Sequence, residues 1–84
     1  MDPNELELTV RDLLAEVIES DDFDKNTFDI SENLFLHGLD SMSAVALVAL
    51  LEEAFSFEFP EDDLSADNLQ SIERITAYVS GTLQ

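Results

Sequence analysis

Leu6, Val10, Leu13, Leu14, Val17 and Ile18 recur at intervals of three and four, which lines them along one face of a helix. Glu7, Arg11, Asp12, Glu16 and Glu19 fall on the opposite side. Ahead of this stripe stand Asp2 as an N-cap, Pro3 at the first helical position and Glu5 as the acid of a capping box. A first helix is therefore predicted over about 3–19, ending near Ser20.

A second helical pattern covers about 41–55. Stepping 100° per residue puts Leu47, Leu50, Leu51, Ala54 and Phe55 on one arc, which reads as core. Ser41, Met42, Val45, Ala46, Ala49, Glu52 and Glu53 share the other arc. That arc carries little charge for a solvated face, and reads as a docking surface unless another helix covers Met42 and Val45. Leu69, Ile72, Ile75, Val79 and Leu83 form a last stripe over about 69–82, with Gly81 placed as a C-cap.

The connections are polar with apolar anchors. Residues 20–40 form a long loop holding Phe23, Phe28, Ile30, Leu34, Phe35 and Leu39. A connection of this length in so small a domain is expected to pack over the core. Ser56-Phe57-Glu58-Phe59 alternates like a strand but is short and isolated, so an extended linker is expected. Pro60 then opens a short acidic helical turn over about 61–65 that contains Glu61, Asp62, Asp63 and Leu64. No internal repeat interrupts the pattern, and 1–84 reads as one small all-α domain.

Charge narrows the partners. Twenty acids against three cations, Arg11, Lys25 and Arg74, give −17. This argues against nucleic acid and anionic membranes, and favours basic protein surfaces. Cysteine is absent, so no disulfide is expected. The Met1 to Glu5 start has no basic leader and no apolar run reaches membrane-spanning length, so a cytoplasmic location without membrane insertion is expected.

Catalysis by the chain itself is not expected. His37 and Ser41 lie four apart, without the strand–elbow–helix context of a serine hydrolase. The acids of Glu61-Asp62-Asp63 have no histidine partner for a metal. Asp22-Phe23-Asp24-Lys25-Asn26 starts like a calcium loop, but Thr27 stands where glycine is needed and Asn33 where the bidentate glutamate belongs. The stretch His37-Gly38-Leu39-Asp40-Ser41-Met42 is more telling. Gly38 permits a tight, positive-φ turn, and Asp40 is a good N-cap. Ser41 then opens the helix, where the dipole favours an anionic group such as a phosphate on its oxygen.

Gly38-Leu39-Asp40-Ser41-Met42 resembles the Gly-x-Asp-Ser-Leu/Met signature of acyl and peptidyl carrier proteins. The order of first helix, long loop, signature, Glu52-Glu53-Ala54-Phe55, Phe59-Pro60, acidic turn and final helix extends the likeness over nearly the whole chain. The resemblance implies a right-handed four-helix bundle with a short third helix. It further implies that Ser41 carries 4′-phosphopantetheine, with Asp40 as the acidic contact during arm transfer. A phosphopantetheinyl transferase would install the arm from coenzyme A. An acyl- or aminoacyl-loading ligase and a downstream transferase or synthase, each with a basic docking surface, would follow. The docking residues would be Met42, Val45, Ala49, Glu52 and Glu53, on a monomer. Fatty-acid carriers have acids where this chain has Ser43, Ala44 and Ala46, and Asp-Ser-Met is closer to D-alanyl and stand-alone aminoacyl carriers. The residues also leave open an unmodified acidic helical module that binds a basic protein.

Overall fold

The structure is a computed structural model that describes residues 2–19, 21 and 23–83. Four α-helices order the chain: α1 Pro3–Val17, α2 Ser41–Phe55, α3 Ala66–Leu69 and α4 Ile72–Leu83. Two single 3-10 turns, Leu34–Leu36 and Glu61–Asp63, precede α2 and α3. The short acidic helical turn expected over about 61–65 is the 3-10 turn Glu61–Asp63 behind Pro60, and the short third α-helix follows it at Ala66–Leu69. Leu69 belongs to it rather than to α4. Among the described residues, no helix is long and apolar enough to cross a membrane.

The termini of α1 follow its sequence, with adjustments. The Asp2 carboxylate accepts from the N–H of Asn4 at 2.8 Å, so the cap bond serves Asn4 and not Glu5, as a capping box would require. The helix stops at Val17 with Ile18 extended, two residues before the expected end; Ser20 lies outside the described residues. Ile18 still turns inward and is buried. Gly81 does not end α4: the helix continues to Leu83, and Gly81 is an exposed interior residue.

α1 packs on both α2 and α4, and α3 packs on α4. Val10, Leu14, Leu34, Leu47, Leu51, Ile72, Ile75 and Val79 are the most fully buried side chains. Burying one such side chain contributes about 1.5–3 kcal/mol. On α2 the buried line is Ala44, Leu47, Leu51 and Phe55. Two core assignments are therefore corrected: Ala54 is exposed and Leu50 only half-buried, while Ala44 takes a core place.

The long loop is held by specific bonds. The Arg11 guanidinium donates to Glu7 at 3.0 Å and to the carbonyls of Lys25 and Phe28 at 3.0 and 2.8 Å. Charge-assisted bonds of this kind contribute about 1.5–3 kcal/mol each when they are shielded from water. Further along, Leu34 N–H donates to the Gln70 carbonyl at 2.6 Å, and Glu73 N–H to the Ile30 carbonyl at 3.0 Å. Phe28, Leu34 and Leu39 are buried anchors, with Phe23 and Phe35 packed against them. Ile30 is the exception: its carbonyl is used but its side chain is exposed. Asp24 caps its own turn through Asn26 N–H, while Asp22 lies outside the described residues.

Candidate functional site

The approach to α2 is built by local sequence. Asn33 accepts from Phe35 N–H at 2.9 Å and starts the Leu34–Leu36 turn, which ends as His37 and Leu39 donate back to the Leu34 carbonyl. Gly38 adopts φ 110°, a conformation that a side chain would strain. Leu39 is buried and plants the segment on the core. His37 is fixed beside it, with Nε2 3.1 Å from Glu32 Oε2 and its ring edge-on to Phe28 at 5.3 Å. It therefore braces the loop and makes no bond to Ser41.

Asp40 caps α2 through a reciprocal arrangement with Ser43. Asp40 Oδ1 accepts from Ser43 N–H at 2.8 Å and lies 3.0 Å from Ser43 Oγ, and Asp40 N–H donates to Ser43 Oγ at 2.8 Å. The bonds from the Ser43 backbone and hydroxyl hold the Asp40 carboxyl below its ordinary range, against a smaller opposing effect of desolvation. Ser41 follows as the first residue of α2 and is exposed. An ionised cap, a free helix start and a solvent-facing hydroxyl thus meet within two consecutive residues.

Ser41 also stands at the lip of an apolar cleft of about 310 Å³. One wall is α2, through Ser41, Ala44, Val45 and Val48; the other is Leu64, Ser65, Ala66 and Leu69, and Phe35 joins them. The cleft lies between α2 and the 64–69 segment.

The outward face of α2 divides the expected docking residues. Met42 is 83% exposed and Val45 71%, so no other helix covers them. Ala46, Ala49 and Glu53 are exposed beside them. Glu52 is half-buried, and its carboxylate accepts from Phe59 N–H at 2.8 Å, so it is a tie for the linker and not a rim charge. Leu36, in the turn before the signature, is 74% exposed and was not anticipated. The Asn33 cap was the available signal, since it starts a turn that carries Leu34 inward and leaves Leu36 outward. Among the described residues, no group of three or more histidines or acids is arranged to hold a metal ion.

A serine freed at a helix start, with a fixed acid before it and an apolar cleft beside it, defines a covalent attachment point rather than a catalytic centre. Residues 8–79 match the family described as "Phosphopantetheine attachment site", and the chain belongs to that family. Over 43 residues the chain is 42% identical to "Acyl carrier protein 2, mitochondrial" from Arabidopsis thaliana. That match spans 51% of this chain and 32% of the plant protein. The fold is similar to a carrier protein from Agrobacterium tumefaciens, seen in a crystal structure with an engineered Bradyrhizobium japonicum glycine:[carrier protein] ligase and ATP. That similarity has a TM-score of 0.82 at 31% identity, covering 89% of this chain and 96% of the other.

Proposed function

We propose that the chain is a carrier that holds an acyl or aminoacyl group as a thioester on a 4′-phosphopantetheine arm attached to Ser41. The observation that carries this reading is the placement of Ser41: exposed, first in α2, and at the mouth of the apolar cleft. The residues present fit the group. The helix start receives the phosphodiester charge, and the open side of Ser41 leaves the arm free to swing out or lie along the cleft. When attached, the arm supplies a terminal thiol, which a chain without cysteine lacks. Asp40, already ionised and held by Ser43, is the acidic contact offered to the transferase that installs the arm.

An amino acid cargo, loaded by an ATP-dependent ligase, is the reading favoured within this class. Its support is the similarity to the Agrobacterium carrier found with a glycine ligase, together with Ser43, Ala44 and Ala46 in place of an acidic front on α2. Partner enzymes, from the loading ligase to a downstream transferase or synthase, would meet Met42, Val45 and Ala49 with apolar contacts. Glu53 would meet a basic residue at the rim.

The test is intact mass after incubation with coenzyme A, magnesium and a broad-specificity phosphopantetheinyl transferase. One phosphopantetheine should be gained by the parent chain and by Ser43→Ala, and none by Ser41→Ala. A folded parent chain that stays unmodified would leave the unmodified interaction module as the explanation of the acidic surface.

A further inference from the structure

The two walls of the cleft beside Ser41 are built unequally. The α2 wall is anchored along its length by Ala44, Leu47, Leu51 and Phe55, all buried. The facing wall is a 3-10 turn, a bend and a four-residue helix, and between Pro60 and Gln70 only Leu69 is buried. Leu64, which lines the cleft, is 48% exposed. Packing within that stretch therefore fixes the wall at its Leu69 end alone.

The other end leaves the core at Phe59, and beyond that residue one side-chain bond ties it to α4. Tyr78 donates from its OH to Asp63 Oδ2 at 2.7 Å, directly before Leu64. The Asn68 side-chain amide donates to the Asp63 carbonyl at 2.9 Å, which joins the turn and α3 into one piece. Tyr78 is itself firmly seated. Its ring stacks on Phe59 with centroids 4.8 Å apart and planes at 9°, and Phe59 N–H is held by Glu52. Ile75 and Val79, flanking it on α4, are buried. Glu61, Asp62, Asp63 and Asp67 crowd the lightly held wall with no cation among them, so their repulsion favours opening.

We propose that the Tyr78 hydroxyl is the latch that sets how far the cleft beside Ser41 opens, and hence the length of the carried group that it shelters. This rests on the carrier reading above. Tyr78 does not line the cleft; it acts through Asp63 on the wall that begins at Leu64. With the latch closed, only a short acyl or aminoacyl group is covered. With it broken, the turn and α3 move outward as a unit between their anchors at Phe59 and Leu69, and a longer chain is admitted.

Tyr78→Phe removes the hydroxyl and keeps the stacked ring. Backbone amide hydrogen exchange over 61–69 should quicken about fivefold in the full chain, with α1 amides unchanged. The arm-bearing protein, loaded with straight acyl groups of increasing length, should then protect its thioester from hydroxylamine to a longer chain in Tyr78→Phe than in the parent. Asp63→Asn keeps an acceptor for the hydroxyl and removes one charge from the acidic cluster, so it should show neither the faster exchange nor the longer protected chain of Tyr78→Phe. Equal exchange over 61–69, or faster exchange with the same length profile, would overturn the proposal. Failure of Ser41 to accept the arm would sink the carrier reading instead, and the exchange comparison would still decide whether the latch exists.

Discussion

Ser43 determines how Asp40 titrates. Its N–H and hydroxyl both serve Asp40 Oδ1, and each contact favours the ionised carboxylate. A carboxyl whose folded pKa is depressed stabilises the fold above its unfolded pKa, and that contribution is lost as pH falls through the folded value. The α2 cap is therefore intact at neutral and mildly acidic pH, and fails only in acid below the usual carboxylate range. Asp29, held by the Ser31 backbone and hydroxyl, follows the same sign. Ser43→Ala leaves the backbone bond and removes the hydroxyl. The carboxyl of Asp40 should then titrate closer to its ordinary 3.8 when followed by carbon NMR, and α2 should fray earlier in acid. An unmoved Asp40 titration in that variant would show that the backbone alone sets it.

Among the helices, α4 offers a separate test. Gly81 sits inside it, and a Cβ added there would meet nothing within 4 Å. Gly81→Ala should raise stability by about 0.5 kcal/mol in denaturant melts, since alanine loses less backbone entropy in a helix. A drop would mean that the last turn is not helical in solution. The sequence showed α2 to the residue because its start signals are local, Gly38 for the turn and Asp40 for the cap, while the answering bond from Ser43 came only with the structure. Tertiary partners hid the rest. α1 is the helix that packs along α2, so a narrow line through Ala44 is buried and Ala54 is left out. Glu52 sits on the outer arc by angle, yet the left-handed turn at Ser56, with φ 55°, brings Phe59 N–H back to its carboxylate. The acidic turn behind Pro60 formed where expected, at Glu61–Asp63, but α3 after it was not legible because burying Leu69 decides where that helix forms.

Over the full chain, charge is the dominant stress. With −17 and, among the described residues, Arg11 paired with Glu7 and Lys25 with Asp12, self-repulsion stays largely uncompensated. Added salt or magnesium should raise the melting temperature, magnesium at lower concentration than sodium. An unchanged melting temperature would indicate that the acids are too dispersed to act together. The backbone bonds that tie the loop to the last third of the chain, Leu34 to Gln70 and Ile30 to Glu73, set an order in time. A nascent chain that has exposed α1, the loop and α2, but still holds Gln70 and Glu73 in the ribosomal tunnel, has its signature serine out while the loop before it lacks both of these backbone ties. Ribosome-stalled chains cut before Gln70 should therefore be poor acceptors of the arm, and chains extended past Leu83 good ones. The maturation of Ser41 would then wait on the emergence of α4, which keeps chains without that brace from accepting the arm.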